Sequence, residues 1–547
     1  MTSSASEGVP DEGPGDGPRR EDEADAAAPP LPAPGVEAPA SSHASARPSG
    51  PPGAPPSGRA RGDRGALLLV VAAVLALGGL VGELAVRRAG RLAYGSPDDA
   101  MNLQAVCNAA RGGAPRYSGE RWEGPPEANI LASHLVASTL VFAPVAATAE
   151  PWAWALRSKA IATLLGAVPL FLLARRRLGC ARRALAVAGL FLLSPLVLSQ
   201  AARFTSNGLL ALACVPLAAE RLAAGRRAPA AALLLAGFLD REESLAPVCL
   251  LALGLALGDR AGRRLWLGLA ALSIALVLAY LGVVRPALGG GTPDHVARFA
   301  HLGDGPWKAL APLLRPGAFW GALLAPEAVA LLAGLLVPLG PAALAAPRWL
   351  LCGLIPWVGV SVSAVASDRV LGPYLVVGAP FLFVALVEGL AWLRARRGRL
   401  DPSLGALGVA ALGTLAAWGI PAEVGPLARY RPLRVLDPAT PRIIERLNPH
   451  HVEARALLAR IPRAASVSAS NTTHLLLADR RWLYPFPVRR EEVDVVVVDE
   501  RTDPFVNPRW PDAGPAAHAA AVAAALAEPG ARVERAGPLL VIWRRPG

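Results

Sequence analysis

Runs dominated by Leu, Ala and Val recur along this chain at residues 66–86, 153–174, 184–200, 206–223, 229–239, 245–258, 265–284, 319–346, 349–366, 370–393 and 402–421. A helix needs about 20 apolar residues to cross the roughly 30 Å of hydrocarbon in a bilayer. The first run, Ala66–Val86, has 21 residues; it starts too far into the chain for an ordinary cleaved leader and reads as a signal anchor. Charged residues make up 18% of the chain, against the ~25% of typical soluble domains. The apolar excess therefore belongs to spans rather than to one large core. The pattern predicts an all-α polytopic membrane protein with about eleven transmembrane helices.

A net charge of +13 would suit nucleic acid if it formed one patch, but the arginines fall in short clusters between the apolar runs. That distribution marks cytoplasmic loops and gives no support to a nucleic-acid partner. Arg175, Arg176, Arg177, Arg182 and Arg183 follow the second run, and Arg221, Arg226 and Arg227 the fourth. Arg260, Arg263 and Arg264 follow the sixth, Arg348 the eighth, and Arg394, Arg396, Arg397 and Arg399 the tenth. With a cytoplasmic N-terminus, every even-numbered helix then ends in a basic loop. Arg87, Arg88 and Arg91, just beyond the first helix, are the exception. The runs 229–239 and 245–258 are short, yet one continuous helix would put Asp240-Arg241-Glu242-Glu243 in mid-bilayer. Two short helices meeting at the outer face fit the arginine pattern. The apolar segment Ile130–Thr148, with His134 near its start, is expected to lie in the interface rather than to cross.

Residues 1–62 are rich in Pro, Gly, Ala, Ser and acidic side chains and are expected to form a disordered cytoplasmic tail. From about Ala422 to residue 547 the chain reads as a small α/β domain. A helix within 441–460 precedes a strand at 465–469, a helix at 473–480, a strand at 493–498, a helix at 516–527 and a strand at 539–543. Eleven crossings from an inside N-terminus place this domain on the outer, periplasmic face of the inner membrane. Of the five cysteines, Cys107 stands in a polar loop and the other four lie in or beside apolar runs, with no disulfide framework and no CxxC metal site.

Candidate chemistry collects on the outer connections. The first carries Asp98 and Asp99 after Pro97, then Trp122, Glu123 and His134; later ones carry Gln200, Arg203 and Asn207, then Asp240-Arg241-Glu242-Glu243, then Asp368, Arg369 and Tyr374. Asp98 and Asp99 supply either a general base or metal ligands, or simply a solvated acidic turn. Arg203 and Arg241 either fork onto a lipid-linked phosphate or snorkel to the interface. The ionisable run 240–243 marks function unless it is a plain hairpin turn, because such groups are costly beside a bilayer. His134 is a ligand, a proton shuttle or an interface residue, while His295 and His301 have no metal-ligand partners at diagnostic spacing. The chain has no Walker loop, no GxGxxG followed by an acidic residue and no GxSxG, which removes support for nucleotide-driven transport and soluble-type hydrolysis.

Several of these motifs resemble the C-type (GT-C) glycosyltransferase superfamily, membrane enzymes that use polyprenyl-phosphate sugars. They are the acidic site after the first helix, Leu193-Ser194-Pro195 leading to Arg203, Gly237-Phe238-Leu239-Asp240-Arg241-Glu242-Glu243-Ser244, and Asp368-Arg369-Val370-Leu371-Gly372-Pro373-Tyr374. A closer resemblance is to a bacterial membrane-protein family, domain of unknown function 2079, and covers about residues 66–510. It adds His134 leading an apolar stretch, Ile461-Pro462-Arg463-Ala464-Ala465-Ser466-Val467-Ser468-Ala469-Ser470, Thr473-His474-Leu475, Arg480, Tyr484-Pro485-Phe486-Pro487 and Val493-Asp494-Val495-Val496-Val497-Val498-Asp499. In the basic-acidic motif Asp240-Arg241 stands where the commoner pattern has Lys or Arg after an apolar or hydroxyl residue.

The resemblance implies a GT-C-like fold that transfers a sugar from a polyprenyl-phosphate donor to an acceptor on the outer face. Asp98 or Asp99 would then activate the acceptor hydroxyl, and Arg203 or Arg241 would hold the departing phosphate. Glu242 or Glu243 would orient the sugar or a divalent cation, with His134 and Arg369 also at the donor site. The implied partners are the bilayer and the lipid-linked sugar. Two other classes stay open: a transporter or flippase for a lipid or polar solute, though no internal repeat is visible, and a non-catalytic envelope protein whose C-terminal domain binds a partner.

Overall fold

The computed structural model describes residues 57–92, 97–118, 127–204, 208–237, 240–290, 316–363, 374–396, 401–419, 449–501 and 515–544. The tail over 1–56, Trp122, Glu123, Asn207, His295, His301, Asp368, Arg369 and the side chain of Glu243 fall outside them. Helix α1 (Ser57–Gly90) begins ahead of its apolar run. The polar stretch that follows is folded rather than a plain loop. Pro97 opens α2 (Pro97–Ala110), with Asp98 and Asp99 in the first turn, where the helix dipole favours carboxylates. Strands β1 (Arg116–Ser118) and β2 (Glu127–Asn129) pair antiparallel, with Tyr117 opposite Ala128. The short α3 (Ile130–Ser133) and a 3-10 helix at Ala137–Ala147 come next. The segment expected to be one interfacial helix is thus two pieces, separated where His134 turns extended.

The helical body continues with α4 (Pro151–Leu164), α5 (Ala167–Leu178), α6 (Ala181–Leu192) and α7 (Pro195–Ala201). It goes on with α8 (Leu209–Ala223), α9 (Arg227–Ala236), α10 (Leu245–Gly258) and α11 (Arg263–Ala279). Then follow α12 (Pro316–Leu323), α13 (Pro326–Leu336), α14 (Pro347–Ser361), α15 (Ala379–Ala395) and α16 (Pro402–Gly419).

Among the described residues, four helical lengths suffice to cross a membrane: Asp63–Gly90, Pro151–Leu178, Arg260–Ala287 and Leu375–Ala395. The pair α6 and α7, bent by 57°, makes a fifth if it counts as one span. Most of the difference from eleven is length: Leu209–Ala223, Arg227–Ala236, Leu245–Gly258 and Pro347–Ser361 are 15, 10, 14 and 15 residues long; proline accounts for the rest. Run 184–200 breaks at Ser194-Pro195, and run 319–346 is cut by Pro326, Pro338 and Pro341 into α13 and two 3-10 turns, because proline removes a backbone donor and clashes with the preceding turn. Helix α15 is the central one, with 83% of its most apolar window buried, against 28% for α1 and 22% for Arg260–Ala287. Leu257, Leu278 and Leu412 stand exposed on α10, α11 and α16, an outer surface suited to an apolar solvent.

Helices α1 and α4 pack backbone to backbone. A Cβ at Gly82 would lie 2.7 Å from the Arg157 Cα, and one at Gly78 2.9 Å from the Ile161 Cα, so only glycine lets the two backbones meet there. Arg157 Nη2 bonds Glu83 at 2.8 Å near one end of the pair, and beyond the other end Arg175 of α5, which continues α4 in the length Pro151–Leu178, forks onto Asp63 at 2.7 and 2.9 Å.

At the C-terminal end, α17 (Pro449–Ala459) precedes β3 (Val467–Ala469), α18 (Asn471–His474), β4 (Leu483–Pro485) and β5 (Val495–Asp499). Then come α19 (Pro515–Leu526), β6 (Arg532–Ala536) and β7 (Leu539–Trp543). The sheet order is β4-β3-β5-β7-β6, parallel among the first three and antiparallel beyond. Val495 and Val497 point to one face and Val496 and Val498 to the other, so β5 is covered on both sides. One cover is α19. The other joins α17 to Leu103, Val106 and Cys107 of α2 and to Trp152 and Leu156 of α4 in a single core. Cys107 is therefore buried rather than in a loop, and burial pushes its thiol up to about 12.

Candidate functional site

The strand pair and α3 aim His134. Asn129 caps α3 by accepting from Leu131 N at 3.0 Å. The Tyr117 hydroxyl meets Ser133 Oγ at 2.8 Å, Tyr280 Oη donates to Leu131 O at 2.9 Å, and Arg285 Nη1 donates to Ser133 O at 3.1 Å. Tyr280 starts a π-helical turn, Tyr280–Val284, that shifts this end of the third span. The extended residues 134–136 thereby meet the connection between α9 and α10.

In that connection, outside both apolar helices, Glu242 Oε1 lies 2.8 Å from His134 Nδ1, and Glu242 Oε2 accepts from Leu135 N at 2.9 Å. Arg241 Nη2 lies 3.0 Å from His134 Nε2, and its guanidinium sits 5.3 Å from the centre of the Tyr374 ring. An arginine can only donate, and a carboxylate can only accept. The arrangement therefore puts a His134 proton on Nδ1, donated to Glu242. Burial alone would raise the Glu242 carboxyl, but the His134 bond, Arg241 and the Leu135 amide together hold it below the usual carboxylate range.

Asp240 is fully buried at the start of the same connection. Its Oδ2 accepts from Leu210 N at 3.1 Å in the first turn of α8, while its Oδ1 has no hydrogen-bond partner. Burial pushes this carboxyl up to about 7, against the pull of the Leu210 amide and the charges of Lys159 and Arg241. Lys159, fully buried on α4, donates to Thr163 Oγ1 at 3.1 Å and feels the charges of both Asp240 and Asp99. Asp99 is buried too, with Arg203 Nε 3.8 Å from its Oδ2. Asp98, one residue earlier, is exposed.

The structure thus brings Asp99, Arg203, His134, Arg241 and Glu242 into one neighbourhood with Asp240, Lys159 and Tyr374. If every carboxylate and cation among them is ionised, the three acids (Asp99, Asp240, Glu242) balance the three bases (Lys159, Arg203, Arg241); a proton on Asp240 leaves an excess positive charge able to take a phosphate. Among the described residues no three His, Cys, Asp or Glu side chains are grouped to hold a metal ion. Lys159 is the residue that sequence reasoning passed over. The chain has only two lysines, Lys159 and Lys308, among 55 basic residues. A lysine inside an apolar run was a legible signal, because intramembrane charge is expensive and functional by default.

A mostly helical chain with membrane-length helices, a closing β-sheet and a buried ionic cluster between them defines a helical membrane protein. The chain belongs to the family described as "Predicted membrane protein (DUF2079)", whose profile matches residues 88–515. No curated protein matches the chain.

Proposed function

We propose that the chain is a polytopic inner-membrane glycosyltransferase of GT-C-like architecture. Its short apolar helices complete about eleven crossings, with the cytoplasmic end at the N-terminus and the site open to the outer face. The donor is a polyprenyl-phosphate sugar. What carries this reading is the meeting of a buried acid, Asp99, with Arg203 and with a buried Lys159 that also senses Asp240. In the reaction, the acceptor hydroxyl oxygen forms a bond to the anomeric carbon and gives its proton to Asp99. The anomeric carbon–oxygen bond breaks, and its electron pair departs on the polyprenyl phosphate. Arg203, Lys159 and Arg241 stabilise the charge that develops there. Burial favours Asp99 over Asp98 as the base, because an exposed carboxylate is held in water away from the reacting atoms. Glu242 holds His134 and orients the sugar, and Glu243 and Arg369 share that donor role on the family resemblance alone.

The decisive experiment is a transfer assay with purified protein and polyprenyl-phosphate sugars, comparing Asp99→Asn with Asp98→Asn. Asp99→Asn abolishes transfer without lowering membrane abundance, and Asp98→Asn stays close to wild type. Full transfer by Asp99→Asn removes the assignment. A second reading, a lipid or polar-solute transporter, is favoured by Lys159 and Asp240 lying buried together, since transporters place charges well inside the membrane. Uptake or flipping that fails in Lys159→Met, with no transfer by the wild type, would put that reading first.

A further inference from the structure

A cavity of about 520 Å³ opens between the start of α4 and the C-terminal region, well away from the cluster around Lys159. Its size falls within the range of small-molecule sites. Glu150, Trp152, Arg455, Arg463, Asp479 and Arg480 give it its chemistry. Glu150 holds Arg455 at 2.8 Å, and Asp479 holds Arg463 at 2.9 Å and Arg480 at 3.0 Å. Three guanidiniums carry more N–H donors than two carboxylates accept. Arg480 is only 4% exposed, and its Nε makes no hydrogen bond. The Arg455 guanidinium lies 5.6 Å from the centre of the Trp152 ring, which walls the cavity on an apolar side.

The depth of the cavity is set by its own residues. Pro151 is the first residue of the 28-residue apolar length Pro151–Leu178, so the cavity lies where that helix leaves the hydrocarbon. Trp154, half exposed on the same turn, is the residue type that settles at head-group level. Lys159 sits eight residues further along the helix, about 12 Å deeper. A net positive, partly apolar cavity at head-group depth fits one kind of occupant.

We propose that this cavity binds the phosphate ester of a membrane lipid head group, with Arg455, Arg463 and Arg480 around the phosphate and Trp152 against the glycerol. The site rests on the membrane reading of the chain and not on glycosyl transfer. It clamps the C-terminal sheet to the bilayer surface through a lipid. A free phosphate ester shares the head-group chemistry, and the test separates the two sources.

The test uses the full-length protein purified in detergent, titrated with dioleoyl phosphatidylglycerol, with dioleoylglycerol, which lacks the phosphate, and with glycerol 3-phosphate, which lacks the acyl chains. Retained ligand is read by native mass spectrometry and stabilisation by thermal melting. Phosphatidylglycerol binds one per chain at this site and raises the melting temperature, while the other two bind at least about tenfold more weakly. The variant Arg455→Gln/Arg463→Gln loses about tenfold or more in lipid affinity while its lipid-free melting temperature holds, since exposed ion pairs contribute little to folding. If the double variant melts early without lipid, Arg463→Gln alone carries the test, because its side chain is 57% exposed. Equal lipid retention by wild type and variant overturns the proposal. Glycerol 3-phosphate as tight as phosphatidylglycerol overturns the lipid source, and dioleoylglycerol as tight overturns the role of the phosphate.

Discussion

Two of the buried polar side chains of helix α2, Asp99 and Gln104, stand five residues apart and are treated in opposite ways. Gln104 closes its bonding capacity on structure: Nε2 donates to Ser118 Oγ at 2.9 Å and to the carbonyls of Arg480 and Arg481 at 3.2 and 2.8 Å, while Oε1 accepts from Ser118 N at 3.0 Å. Asp99 faces a charge instead, with Arg203 Nε 3.8 Å from its Oδ2, and the neighbouring Asp240 leaves Oδ1 without a bond. Buried polar groups that serve only the fold close their networks, since an unmet group costs about 1–3 kcal/mol. Open capacity in a fixed scaffold points instead to groups that meet something else. On the proposed reading the first turn of α2 belongs to the site, and the next turn is glue.

The largest effect that would break this contrast belongs to Asp99. Asp99→Asn lowers transfer by about 10²–10⁴-fold, the usual weight of a general base, in an assay normalised to membrane abundance. Next comes Lys159→Met, which leaves the buried acids uncompensated and destabilises the protein by about 3–5 kcal/mol. Adding Asp240→Asn recovers a large part of that loss, measured by melting in a double-mutant cycle; additive effects would mean that the two groups do not share a site.

His474 sharpens the contrast from the glue side, where it is an exception. It is fully buried, neither ring nitrogen makes a well-formed hydrogen bond, and burial takes its pKa down to about 4 from 6.5, with the backbone of Tyr484 and Leu483 pulling the other way. The unfolded chain takes up a proton as pH falls below about 6.5, and the folded chain does so only near 4. Stability is therefore full above about pH 6.5 and falls by roughly 3 kcal/mol on acidification to about 4. Urea melts of wild type against His474→Phe across that range show the slope disappear in the variant. The smallest effect is that of Gln104→Ala, about 1–3 kcal/mol in melting, with transfer at low temperature unchanged. A loss of transfer without a loss of stability would move Gln104 out of the structural class.

Much of the architecture was legible because apolar runs, arginine clusters and valine-rich strands are strong one-dimensional signals. Strand β7 falls at 539–543 as expected, and Val495–Asp499 is within two residues of its expected position. Strand β4 is only three residues long and ends at Pro485, and β6 exposes Arg532, Val533 and Arg535, so neither has a pattern of its own. Crossing number was harder to read, because four of the apolar runs form helices of only 15, 10, 14 and 15 residues and prolines divide two others where hydropathy does not change. The site was half visible. His134, Arg241 and Glu242 were singled out by ionisable character beside apolar sequence. Their contacts depend on residues 107 or 108 positions apart, and nothing local encodes such a distance. Lys159 was hidden by belonging to a run long enough to be read as lipid-facing.

Asp63 and Glu83 stand twenty residues apart on α1, about 30 Å of helix, and their partners Arg175 and Arg157 stand eighteen apart, about 27 Å. Those lengths match the roughly 30 Å hydrocarbon thickness of an ordinary bilayer. Pinned at both ends and interlocked at Gly78 and Gly82, the pair cannot slide to change its length. Set across a bilayer as proposed, the pair would act as a fixed gauge of thickness: in a thicker or thinner membrane the lipid would deform or the whole pair tilt, at fractions of a kcal/mol for each ångström of mismatch.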